Sequence, residues 1–105
     1  MLSHLIAYWR GFRVAKGGRL RSRMDIRTIG IAYFNGPNSS GFDCEIPRGT
    51  ELVVYATSGI GFNCTLADRA LEERLVPDAI RGEPKYAGHA FQFGLGDLGR
   101  RLDVR

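Results

Sequence analysis

Residues 42–66, FDCEIPRGTELVVYATSGIGFNCTL, constrain the fold most, because they hold the densest run of strand-forming residues, both cysteines and two turn signals. Phe42, Cys44 and Ile46 share one parity and Asp43 and Glu45 the other, the period-two signature of a strand with one wet side. Pro47, Arg48 and Gly49 break that strand. From Glu51 to Thr57 both parities are apolar, which predicts a central strand buried on both faces or nearly so. Ser58 and Gly59 form a tight turn, and Ile60, Phe62, Cys64 and Leu66 return on one parity with Gly61, Asn63 and Thr65 facing away. The stretch therefore predicts a three-stranded meander.

Upstream, Leu2, Leu5, Ile6 and Trp9 lie at helical spacing with Ser3 as a cap, but residues 8–14, YWRGFRV, are aromatic and alternate. The expectation is a strand near residues 7–14, with Tyr8, Phe12 and Val14 on its hydrophobic side and Trp9 on the side of Arg13. Lys16-Gly17-Gly18 is a turn, since adjacent glycines supply the positive φ angles of a hairpin. Beyond it, Arg19, Arg21, Arg23 and Arg27 share one parity, with Asp25 among them. As one strand, residues 19–27 make an arginine ladder on one face and point Leu20, Met24 and Ile26 at the core. Ile29, Ile31 and Tyr33 then carry apolar character on the former arginine side, and Gly30 reads as a bulge or a corner.

Residues 35–41, NGPNSSG, are turn chemistry throughout. A short helix is predicted near residues 67–76, with Thr65 or Asp68 as cap, Glu72 and Glu73 near the positive end of its dipole, Leu71 and Leu75 on one side, and Pro77 ending it. Residues 78–85 read as irregular. Residues 86–93, YAGHAFQF, read as another strand with His89, Phe91 and Phe93 on one parity. The last dozen residues fit a glycine-broken turn of helix or a frayed strand equally well. About six short strands and one short helix describe a single mainly β (α+β) domain over residues 1–105, a small strongly bent antiparallel sheet or barrel.

The block GFDCEIPRGTELVVY, the returning GFNCTL, the acidic helix ending in LVP and the closing YAGHAFQF resemble small SH3-like barrel proteins carried by phages and mobile gene cassettes, over roughly residues 30–93. The resemblance rests on pattern and implies architecture; it brings no catalytic motif.

A chain of 105 residues, 44% hydrophobic and 25% charged, is large enough for one core and is neither disordered nor membrane-spanning in composition. Residues 5–9, the longest apolar run near the amino end, are too few to cross a bilayer and lack signal-peptide flanks, so the expected location is cytoplasmic. Charge is uneven within the net +4: residues 1–34 hold seven basic side chains against Asp25, residues 35–99 hold nine acidic against five basic, and Arg100, Arg101 and Arg105 crowd the end. Thirteen of the fifteen cations are arginine, the residue suited to forked recognition of phosphate or carboxylate, although a GC-rich genome alone would also write arginine for lysine.

Three candidate chemistries fall away on inspection. Residues 94–99, GLGDLG, satisfy G-x-G-x-x-G but lack the following helix, second strand and distant acid of a dinucleotide site. Cys44 and Cys64 face the core and read as buried small hydrophobes; if they flank one central strand they lie roughly 9–10 Å apart, beyond disulfide reach. With only two histidines and no ligand spacing, no metal site is expected. His89 reads as a packed structural histidine unless Asp43 or Glu45 is brought beside it as in a general base.

The arginine ladder remains. It can pair with acids of its own chain, among them Asp43, Glu45 and Glu51. It can bind phosphates of RNA or DNA, with Tyr8, Trp9 or Tyr33 stacking nearby. Or it can meet the acidic face of a second copy or another protein. The sequence reading favours a cofactor-free nucleic-acid or polyanion-binding module using Arg19, Arg21, Arg23, Arg27, Trp9 and Tyr8. The alternative is a protein-interaction or homo-oligomerising module in which Glu72, Glu73 and neighbouring acids meet a basic strand. A small ribonuclease using His89 with an acid and an arginine comes third.

Overall fold

The computed structural model describes the backbone of residues 6–9 and 12–104 and the side chains from Val14 to Val104. The chain runs β1 (Ile6–Trp9), β2 (Phe12–Ala15), β3 (Arg19–Ser22), β4 (Ile26–Phe34), β5 (Ser39–Ile46), β6 (Glu51–Thr57), β7 (Gly61–Leu66), α1 (Arg69–Leu75), α2 (Asp78–Arg81), β8 (Tyr86–Gly94) and β9 (Leu102–Val104). Seven strands form one antiparallel sheet in the order β5-β4-β8-β7-β6-β3-β9, and β1 pairs with β2 separately. Among the described residues the protein is thus mostly β, with two short α-helices. The sheet is open: β5 and β9 are its edges and do not pair with each other.

Strict alternation builds the core. On β4 the residues Ile26, Gly30 and Ala32 are buried while Arg27, Ile29 and Tyr33 face out. On β5 the buried set is Phe42, Cys44 and Ile46. Gly30 lies opposite Phe42, and a Cβ there would sit 2.3 Å from the ring's Cζ. Gly30 is therefore a seat for an aromatic ring and not a corner, and it lets Phe42 reach Phe91 edge-on at 6.0 Å. The irregularity of β4 falls later, between Tyr33 and Phe34 where the register with β8 shifts.

The predicted meander is corrected in its first step. β6 and β7 do form a hairpin, but β5 pairs with β4 and is separated from β6 by β4, β8 and β7. The nine-residue β4 matches β5 over eight consecutive pairs, a longer ladder than a β5–β6 pairing could offer. In the β6–β7 turn the Ser58 hydroxyl accepts from the backbone N–H of Gly61 at 3.2 Å, leaving Ile60 outside the strand and 86% exposed instead of inward. The single strand expected near residues 7–14 is the hairpin β1–β2, with Tyr8 opposite Arg13 and Trp9 opposite Phe12. The Gly17–Gly18 turn exists, with φ +85° at Gly17, but it leads β3 onto β6 and not onto β2.

Asp68 caps α1, its carboxylate accepting from the N–H of Leu71 at 2.8 Å, as the acidic start of the helix foretold. Val76 ends it and Pro77 starts the one-turn α2, where an irregular segment was expected. Both alternatives for the carboxyl end are realised in turn, a 3₁₀ segment at Leu95–Asp97 and then β9 on the edge of β3. The G-x-G-x-x-G run accordingly opens no α-helix.

Candidate binding site

The arginine ladder is split. Ser22 is buried, donating its hydroxyl to the carbonyl of Pro47 at 2.7 Å and accepting from the N–H of Thr50 at 2.9 Å. Asp25 accepts from the N–H of Arg48 at 2.8 Å. These bonds tie residues 22–25 to the 47–50 turn, so the strand ends at Ser22 and parity is lost. Met24 is therefore exposed, not inward, and Arg27 falls on β4 opposite Glu45. Arg19 and Arg21 each reach one oxygen of Glu51, at 3.3 and 3.2 Å. Arg23 pairs with Asp103 at 3.3 Å and donates to the carbonyl of Gly99. Tyr8 and Trp9 lie on β1, paired to β2 and outside the sheet that holds the arginines; their side chains lie outside the described residues.

The opposite half of the outer face carries an apolar ridge beside the charged Arg27, Asp43 and Glu45. Ile29, Ile31 and Tyr33 form a ridge along β4, with Ile29 65% and Tyr33 38% exposed. The cross-strand neighbours of Ile31 and Tyr33 are small, Gly41 and Ser39 on β5 and Ala90 and Gly88 on β8, while Ile29 stands opposite Asp43 on β5. Beyond β8, a bulge in β6 sets Tyr55 out of register. Burial pushes the Tyr55 hydroxyl up to about 12, and the Tyr33 hydroxyl, within hydrogen-bonding reach, adds to the rise. Under and beside them opens a cleft of about 630 Å³, lined by Tyr33, Tyr55, Thr65, Gly88 and His89 and, at its helical end, by Asp68, Arg69 and Glu72.

His89 forms part of the cleft wall from a buried position, 7% exposed. Its Nε2 accepts from the backbone N–H of Leu66 at 3.0 Å, which leaves the proton on Nδ1 for Glu72, whose Oε2 lies 2.9 Å away. The Tyr86 hydroxyl donates to the same oxygen at 3.1 Å. Burial lowers the His89 pKa and outweighs the opposing pull of Glu72; burial, reinforced by Glu72, raises that of Tyr86. Both ring nitrogens are thus occupied, and the histidine joins β8 to β7 and α1 as structure. The acid beside it is Glu72 and not Asp43 or Glu45, which point outward from β5, two strands away. Sequence reasoning missed Tyr55 and the joining of Glu72, Tyr86 and His89. The available signals were Gly88, with no side chain to fill the trough, and the shared parity of His89 with Phe91.

Cys44 and Cys64 are both free and buried, on β5 and β7 with two strands between them. Burial pushes their thiols up to about 11 and about 12, which suppresses the thiolate and its chemistry. Among the described residues no three of the types His, Cys, Asp and Glu gather where they could hold a metal ion, and no helix is long and apolar enough to cross a membrane.

Comparison of the chain with protein-family models, with curated proteins and with solved structures finds no match. The cleft and ridge therefore rest on their own geometry.

Proposed function

We propose that this chain is a small cytoplasmic protein-interaction module without catalytic activity, an SH3-like relative of those found in phages and mobile gene cassettes. Its contact surface is the Ile29–Ile31–Tyr33 ridge with the adjoining cleft, and its occupant is an extended segment of a partner protein. The carrying observation is the exposure of Ile29, at 65%, on a continuous apolar ridge beside a tyrosine-lined cleft. Glycine, alanine and serine beside Ile31 and Tyr33 leave room for a second chain to lie along the strand, where apolar side-chain contacts add to shape, and Asp43 beside Ile29 adds a charge at that end. Of the four arginines, Arg19 and Arg21 pair with Glu51 and Arg23 with Asp103.

One observation favours the nucleic-acid or polyanion reading as a second. Arg19 and Arg21 share a single carboxylate, and exposed ion pairs contribute little, so phosphates can compete for Arg19, Arg21, Arg23 and Arg27, with Tyr8 and Trp9 as stacking partners.

Selection of displayed random peptides separates the two. On the protein-binding reading, binders are recovered that fail on Ile29→Asp and still bind Arg21→Glu/Arg23→Glu. Recovery of no Ile29-dependent binder, together with a salt-sensitive mobility shift of a single-stranded oligonucleotide abolished in Arg21→Glu/Arg23→Glu, overturns it in favour of the second reading.

A further inference from the structure

The charge around the cleft runs against that of the whole chain. The protein carries net +4, yet among the described residues the ridge and cleft present Asp43, Glu45, Asp68 and Glu72 against Arg27 and Arg69. Arg19 and Arg21 stand on the far side of the sheet, on β3, engaged with Glu51. An acidic patch on a basic protein selects a basic partner and repels copies that would present their own acidic face to it.

Within the cleft, Glu72 is the carboxylate best prepared for a cation. Two donors, His89 Nδ1–H and the Tyr86 hydroxyl, meet its Oε2. They hold the group in one orientation without adding positive charge, since His89 is neutral. Tyr33 and Tyr55 bring two aromatic rings to the same space, and Gly88 and Ala87 line it without bulk. Rings beside a fixed carboxylate suit a guanidinium, which stacks on the ring face and forks onto the acid, better than a compact ammonium.

From this we propose that the cleft receives a basic side chain, arginine in preference to lysine, carried by the extended partner segment. The inference rests on the protein-binding reading and adds the partner's chemistry to it. Among the described residues, Arg69, exposed on the first turn of α1, is the one cation lining the cleft. An incoming arginine meets two carboxylates and one like charge, so Arg69 weakens binding and its removal strengthens it.

The probe is the blocked tripeptide Ac-Ala-Arg-Ala-NH2, titrated into ¹⁵N-labelled protein and compared with its lysine and glutamine counterparts. Saturable shifts are expected at the amides of residues 65–72 and 87–89, weaker with lysine and about ten-fold weaker with glutamine. Glu72→Gln should weaken the arginine peptide by a similar factor while leaving the free protein's amide spectrum dispersed. Arg69→Ala should tighten it, which loosened structure would not do. Equal shifts from the arginine and glutamine peptides, or unchanged affinity in both variants, overturn the inference. Displayed peptides that require Ile29 but carry no basic residue overturn it too, and leave the contact surface itself standing.

Discussion

His89 shows how one side chain can set a pH limit on a fold. Its Nε2 accepts a buried backbone N–H and its Nδ1–H serves Glu72, so a second proton on the ring removes the acceptor that Leu66 needs. Burial lowers its pKa from the ordinary 6.5. Above pH 6.5 both folded and unfolded chains hold it neutral and its contribution is complete. Below that, the unfolded chain takes a proton that the folded site refuses, so stability falls with acid, by at most about 1.4 kcal/mol per pH unit, until the folded site titrates. We expect urea unfolding at pH 7, 6 and 5 to show this loss in the wild type. In His89→Gln, whose amide oxygen can still accept from Leu66, the His89 share of the slope should vanish. His89→Ala should cost about 1–3 kcal/mol at pH 7 by stranding that N–H. A slope unchanged in His89→Gln would assign the acid sensitivity to other groups.

At the scale of elements, the β4–β5 pair is built on one glycine. Gly30 has no unusual φ, and its necessity is steric: the Phe42 ring occupies the space a Cβ would take, 2.3 Å from Cζ. Gly30→Ala should therefore destabilise by about 1–3 kcal/mol through overpacking. Because the clash is with one ring, Phe42→Leu should relieve part of it, making the double variant less destabilised than the sum of the singles. Strict additivity by chemical denaturation would mean that the backbone, and not the ring, is what resists. The same element carries the proposed contact ridge on its other face. Inward and outward residues of β4 thus do separate work, and Ile29→Asp should leave stability within about 0.5 kcal/mol of wild type.

For the whole molecule, the sheet order decides what meets what. Placing β5 at one edge and β9 at the other separates the two cysteines by two strands, and keeps Asp43 and Glu45 far from Arg19 and Arg21. Both thiols are buried with pKa values pushed up to about 11 and about 12. A thiol reagent at neutral pH should then modify neither in the folded state and both on unfolding, so that labelling rate reports opening of the sheet. Rapid labelling of Cys44 alone would mean that the β5 edge opens independently. Rapid labelling of both would contradict the burial described here.

Alternation within 42–46, the doubly apolar run at 51–57, the acid-capped helix and the aromatic strand ending in Phe93 were all legible in the residues, because period and capping are local properties. Pairing was not. Whether β5 zips to β4 or to β6 depends on which ladder is longer and better packed, and that sum is taken over the folded sheet. The arginine run shows the same boundary: residues 19–27 have strand parity throughout, yet bonds from Ser22 and Asp25 to a turn 25 residues away bend the chain and divide it. Likewise Tyr33 and Tyr55, or Glu72 and His89, are ordinary residues in the sequence and become a cleft only when β8 is laid between β4 and β7. Local chemistry determined the elements, while long-range burial and the satisfaction of backbone hydrogen bonds decided their neighbours and, with them, the candidate site.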